Sequence, residues 1–428
     1  MPSRKYRLSM LWLQNERDRR PFYCHQVRTS LAEVLDITGE WDKLEAVMKD
    51  QLAWMQRAGY RKQVAEALNL LGWYHHQRGN DRKSREMSFQ ALSIYNHLGD
   101  RLGLAKTHSQ LGGSYYRIGH YRRARRHYQR ALDIYIGLDD IEGQAKILNN
   151  LGNIVGEEGD LQEAERLCLR ALEISRERKN MYMEALICGN IGANYLSQGN
   201  YQQAGHWFQR QYELAQRLGY KLMLAAAFGN LGGLYGSIGE TEKAKSFFHQ
   251  RLKISQELED IKGQAITWDN LGCLYYLNHD LESAEQAFCR AIAFCRQIDL
   301  RYHLCTSQYN LASLLLETGR LAAAEQANEE ALKIAREMGV EDILFKGMIL
   351  KARIMSSRDK NQSLQILRQL LSETDRDDSR AEILWNLFQI EGGEEIRQQA
   401  LEVYRRLYQA DPKEEYLYLL TKLSEASF

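Results

Sequence analysis

Five asparagines stand at forty-residue intervals: Asn150, Asn190, Asn230, Asn270 and Asn310, with Gln110 one step earlier. A carboxamide carries a donor and an acceptor side by side, so one group can pair with the C=O and the N–H of a peptide backbone. Contacts of that kind hold a chain without demanding its sequence. A lone asparagine inside a helix is mildly unfavourable, because its side chain competes for backbone hydrogen bonds. Five in register suggest a purpose: gripping a ligand, or bonding one repeat to the next and setting the pitch. Lys106 and Lys146 lie one helical turn before this column, and Asn153 lies one turn beyond it, where it should face Asn190. Between them the chain offers small residues, Gly189, Ala193, Gly229, Gly233 and Gly236. Trp73 and Tyr116 flank these on one side, Tyr276 and Tyr309 on the other. A bare floor with aromatic ends suits an inserted peptide or helix.

A second constellation is the segment YRRARRHYQR, in which Arg122, Arg123, Arg126 and Arg130 would share an outward helix face. A solvated surface is the first reading of it. An acidic protein partner comes next, and nucleic acid last, since one patch supplies only sequence-independent attraction and no groove-reading motif accompanies it. For catalysis the chain shows no phosphate-binding glycine loop, no dinucleotide fingerprint, no H-E-x-x-H and no G-x-S-x-G. His75 and His76 are adjacent on one helix and diverge, and Cys24-His25 and His303 with Cys305 are too close in sequence to converge. No enzyme, no metal and no cofactor is expected. The seven cysteines are odd in number and scattered, which fits buried thiols in a reducing compartment rather than a disulfide framework.

What must position these residues is a repeat. Leu71-Gly72, Leu111-Gly112, Leu151-Gly152, Ile191-Gly192, Leu231-Gly232 and Leu271-Gly272 recur every forty residues, with Leu31-Ala32 and Leu311-Ala312 at the ends. A turn glycine follows each, from Gly39 to Gly319, with His279 as the departure. Small residues come five later, such as Ala124, Ala164 and Ala204, and bulky ones four further on, such as Tyr128, Phe208, Phe248 and Phe288. A period of this length marks stacked helical hairpins. Only three prolines occur in 428 residues, and no sustained apolar–polar alternation signals a strand. The formal net charge is +1, which gives no global case for nucleic acid or membrane, although residues 101–132 hold eight basic side chains and no acid. No stretch approaches the ~20 apolar residues of a membrane span or reads as a signal peptide, so a cytoplasmic protein is expected.

The pattern L-G-x-x-Y, then Ala, then an aromatic resembles the tetratricopeptide repeat (TPR) family, with Tyr115, Tyr195, Tyr235 and Tyr275 where its tyrosine belongs. The forty-residue step is similar to the long-helix repeats of kinesin light chains, cell-polarity adaptors and bacterial sensor modules. The resemblance implies an all-α, right-handed TPR superhelix of about ten helical hairpins with a C-terminal capping helix. Residues 1–21 form an arm or cap, 22–340 eight regular hairpins, and 341–428 degenerate hairpins and the cap. It also places the first helix of each hairpin on the concave face and the asparagine column in the groove, where the family grips extended peptides. Chaperone-binding members clamp a C-terminal carboxylate. Asn153 and Asn190 match that clamp's two asparagines, but Asn149, Ala226 and Asn230 stand where its basic partners belong, so the resemblance stops short of a clamp. The implied function is a non-enzymatic adaptor or sensor binding a peptide or protein segment. Two alternatives are the recognition part of a larger bacterial signalling ATPase or protease system, and a scaffold that self-associates through its convex face.

Overall fold

A computed structural model describes residues 41–77, 80–410 and 414–425. The N-terminal arm, Leu31-Ala32, Gly39, Cys24-His25, Gly79 and Pro412 lie outside the described residues. Every element among the described residues is an α-helix. The first, α1 (Trp41–Arg57), is the second helix of the opening repeat. Pairs then follow in step: α2 (Arg61–Gln77) and α3 (Asp81–Leu98), α4 (Arg101–Arg117) and α5 (Tyr121–Ile136), α6 (Ile141–Glu157) and α7 (Leu161–Glu177). Next come α8 (Met181–Ser197) and α9 (Tyr201–Leu218), α10 (Lys221–Ser237) and α11 (Thr241–Glu257), α12 (Ile261–Leu277) and α13 (Leu281–Gln297), α14 (Arg301–Glu317) and α15 (Leu321–Met338). After residue 340 the regular length lapses, through α16 (Glu341–Met355), α17 (Lys360–Glu373), α18 (Asp377–Glu391), α19 (Glu394–Ala410) and α20 (Glu414–Glu425). The chain divides into two compact units, one ending at Ser307 and the other running Gln308–Phe428. No helix among the described residues is long and apolar enough to cross a membrane.

The period sets the helix ends through caps. Asp100, Asp140 and Asp260 accept from the amides of Gly103, Gly143 and Gly263 at 2.8–2.9 Å, and Asp160, Asn180, Asn200 and Asp280 cap their helices in the same way. Each cap satisfies an amide that the helix itself leaves orphaned. The turn between paired helices needs a left-handed residue, and glycine takes it at Gly119, Gly159, Gly199 and Gly239.

His279 fills the same turn position with φ of 59°. A β-carbon in that conformation costs roughly 1 kcal/mol. His279→Gly is therefore expected to raise stability by about 0.5–1 kcal/mol. Urea unfolding of the variant measures this, and an unchanged or lower midpoint refutes it.

In four of the pairs the repeated glycine is a seat for the facing ring. A β-carbon at Gly112 would stand 2.8 Å from the Tyr128 ring, at Gly192 2.5 Å from Phe208, at Gly232 2.7 Å from Phe248 and at Gly272 2.6 Å from Phe288. The ring therefore packs on bare backbone, and the two helices close onto each other. Helix-interior glycine costs about 1 kcal/mol against alanine, and this seat is the packing gain that offsets it. The second unit has its own core, in which Leu367, Ile383, Leu384, Ala400, Leu401 and Leu423 are buried together.

Candidate functional site

The even-numbered helices α2 to α12 each leave one stripe open. On α6 Lys146 is exposed, and Asn150 and Asn153 are half-buried. On α10 Ala226 is exposed, and Asn230 and Gly233 are half-buried, whereas Ala227, Phe228 and Leu231 between them are buried. Lys146 keeps contact with water, yet burial pushes its ammonium below the usual lysine range, with the charge of Lys106 adding to the push. A group that is both wetted and hemmed in by protein stands on a concave wall. That stripe is the candidate groove floor.

The asparagine row runs along it. Asn150, Asn190, Asn230 and Asn270 are half-buried within the first unit, and Asn310 is half-buried within the second. Asn190 donates to Asn149 Oδ1 at 3.1 Å, and Asn230 donates to Gln211 Oε1 at 2.8 Å. Each of these two spends an N–H between elements and keeps its carbonyl oxygen. Asn150 and Asn270 make no side-chain hydrogen bond among the described residues. Other bonds stitch adjacent inner helices at the same level: Asn69 donates to Thr107 at 2.7 Å, and Ser307 donates to Asp269 at 2.6 Å. The floor is bare over α10, since a β-carbon at Gly233 would meet nothing within 4 Å.

Two outer-helix side chains reach the inner helices beside this stripe, Gln211 buried and Arg251 half-buried. Gln211 on α9 lies over Gly189, and Arg251 on α11 lies over Gly229, where an added β-carbon would stand 2.6 Å and 2.5 Å from the respective terminal nitrogens. Burial lowers the pKa of Arg251, against a weaker opposing pull from Asp260. His303, at the start of α14, is held at about 3, by burial first and then by the charges of Lys262, Arg117 and Arg251. The cations of the first unit thus crowd one region.

The tetratricopeptide-repeat profiles match residues 83–136, 144–178, 182–257 and 263–337, more than half of the chain. This chain belongs to the tetratricopeptide-repeat family. Such repeats are as a rule protein-interaction modules rather than enzymes. Among curated proteins none matches the sequence. Among solved structures it is similar to a Rap protein complexed with Competence and Sporulation Factor, 14% identical, covering 90% of this chain and 99% of that one, with a TM-score of 0.53. It is also similar to the Rap conjugation gene regulator of plasmid pLS20 in complex with the Phr* peptide, 15% identical over 79% and 95% of the two chains, TM-score 0.53. A signal transduction ATPase with a tetratricopeptide repeat sensor from Pyrococcus horikoshii is 12% identical over 79% and 54%, TM-score 0.49. At these identities the likeness establishes the fold.

Two expectations about the TPR groove change. The hydrogen-bond partner of Asn190 is Asn149, which shares a helix face with Asn153 one turn earlier, and not Asn153 itself. Gln110 carries its amide into the interface of α2 and α3: its Nε2 is buried without a partner against Gly72, beside Ser88. It fills the seat that a ring takes in later repeats and is withdrawn from the groove. Lys106 is exposed as a groove residue would be. Tyr116 is half-buried, and its hydroxyl donates to Glu157 at 3.4 Å. Tyr276 is half-buried in the first unit, while Tyr309 is half-buried in the second, where burial raises its pKa.

On the outer helix α5, Arg122, Arg123, Arg126 and Arg130 are all exposed. Arg123 lies 5.7 Å over the Tyr115 ring, and neighbouring Arg125 pairs with Glu158 at 2.9 Å. The sequence reading missed Arg251 and Gln211. Their signal was present: the column Ala91, Ala131, Ala171, Ala291, Ala331 turns polar at 211 and 251, and in those two repeats the facing residue, 189 or 229, turns to glycine.

Proposed function

We propose that the groove of the first unit binds an extended peptide or protein segment, and that the chain serves as an adaptor or sensor for it. The observation that supports this most is Asn150 and Asn270: half-exposed carboxamides on the groove stripe that make no side-chain hydrogen bond among the described residues. Asn190 and Asn230 serve both purposes, tying elements together with one N–H and offering a carbonyl oxygen to a ligand amide. Glycine and alanine between them leave room for a backbone to lie close. The Rap structures with Competence and Sporulation Factor and with the Phr* peptide share the fold, and they favour a peptide over a small molecule as occupant.

The test removes only the unbonded carboxamides. Selection of displayed random decapeptides on the immobilised protein should recover binders. Asn150→Ala with Asn270→Ala should weaken them about 10- to 30-fold, since each net hydrogen-bonding group contributes about 1 kcal/mol. The melting temperature should stay within about 2 °C of the parent, because neither side chain holds the fold. Recovery of no binder, or equal affinity for parent and double variant, overturns the reading. Asn190 and Asn230 are poorer probes, since removing them also strands Asn149 and Gln211.

A further inference from the structure

We propose that this groove selects acidic segments, and that Arg251 pairs with a ligand carboxylate above Gly229. The inference rests on the peptide-binding reading and adds the chemistry of the occupant.

The first support is the volume exchange. Five repeats place alanine at this outer-helix position, at 91, 131, 171, 291 and 331. Arg251 replaces the alanine in the same repeat in which glycine replaces any side chain at 229. The guanidinium then lies across the α10 backbone, where a β-carbon would stand 2.5 Å from Nη1. A merely solvated arginine needs no such slot.

The second support is the lack of a counter-charge. Arg251 makes no hydrogen bond and no ion pair among the described residues. The acid that acts on it, Asp260, is committed to capping α12 through the amide of Gly263 at 2.8 Å. Asp269, on the same wall, already accepts from Ser307. A desolvated cation is unfavourable until an anion meets it, and a carboxylate can do so through two parallel hydrogen bonds.

The third support is company. Lys106 and Lys146 are exposed on the inner helices α4 and α6, and Lys262 acts together with Arg251 on His303, whereas Arg117 beside them is already paired with Asp81 at 3.9 Å. Asparagines alone would hold any backbone. Cations along the same trough add a demand for negative charge, and that demand is what gives selectivity.

The same decapeptide selection tests this. Binders recovered on the parent should be enriched in Asp and Glu. For a recovered acidic peptide, Arg251→Gln should weaken binding about tenfold or more, while the peptide's Asn/Gln counterpart binds both proteins alike. Gly229→Ala supplies a second variant, whose methyl displaces the flexible end of Arg251 while favouring the helix. It should weaken the acidic peptide with the melting temperature unchanged or raised. Binders without excess acid, or equal affinity for parent and both variants, overturn the charge inference and leave the peptide groove standing. If no decapeptide is recovered, the groove reading fails and this inference fails with it.

Discussion

Phe208→Ala should lower the stability of the folded chain by about 3–5 kcal/mol. The ring is 1% exposed and sits on α9 against Ala204, Leu231 and Leu234. One edge rests on Gly192, where no side chain can slide in to fill the space left behind. The cost therefore includes both lost burial and a cavity that cannot collapse. The position makes the loss spread. In a stacked array each hairpin is held mainly by its neighbours, so a gap that touches both α8 and α10 weakens two interfaces together. Urea unfolding should show the loss, and amide exchange should show α8 and α9 opening first. Gly192→Ala approaches the same seat from the other side. Its methyl would stand 2.5 Å from a fixed ring, and overpacking of that kind costs typically about 1–3 kcal/mol. A cost under about 1 kcal/mol for Phe208→Ala would mean that the seat does not organise the hairpin.

That seat also marks how far the sequence could be read. The Leu-Gly column and the ring column were visible as periods, so pairing, helix starts and close approach all followed from spacing. Helix ends were legible for the same reason: Leu98-Gly99-Asp100 and Leu258-Glu259-Asp260 carry both the left-handed residue and the cap. The groove was legible as a row and illegible as bonds. A period shows that Asn190 shares a face with Asn150, but it does not show that Asn190 meets Asn149 rather than Asn153. Those two share a helix face, so the choice depends on an axial offset of about one turn between adjacent helices. Gln110 turned inward because the preceding repeat has Ser88 where a ring would fill Gly72, a compensation between two columns that neither column shows alone. Arg251 was hidden for the opposite reason. It stands on an outer helix, and only the missing side chain at Gly229 lets it through.

Acid should weaken the second and third repeats through His108 and His127. Their Nδ1 atoms stand 3.0 Å apart across α4 and α5, so one neutral ring donates its N–H to the bare nitrogen of the other. A second proton has no place there. Burial holds His108 at about 4, with the charge of Arg130 adding to it. Burial holds His127 at about 4 as well, followed by His108 and then Arg130. His127 stacks on Tyr115 at 5.4 Å, and Arg85 and Arg123 cover that ring at 5.1 Å and 5.7 Å, so cations also gather on the outer side. The unfolded chain takes up these protons near 6.5, while the folded chain refuses them until about 4. Stability is therefore full above about pH 6.5, falls as the pH drops from there towards 4, and levels below it. For His108, which is 7% exposed, the loss by pH 4 is on the order of 3 kcal/mol. His127 is more wetted and adds less, and the two protons belong to the pair rather than to either ring. His303 shifts in the same direction, so the parent profile alone does not isolate the pair. The difference between parent and a His108→Gln, His127→Gln variant does. Urea midpoints measured from pH 7.5 to 4 should fall more steeply for the parent. Parallel profiles would show that the histidine pair takes up its protons without strain.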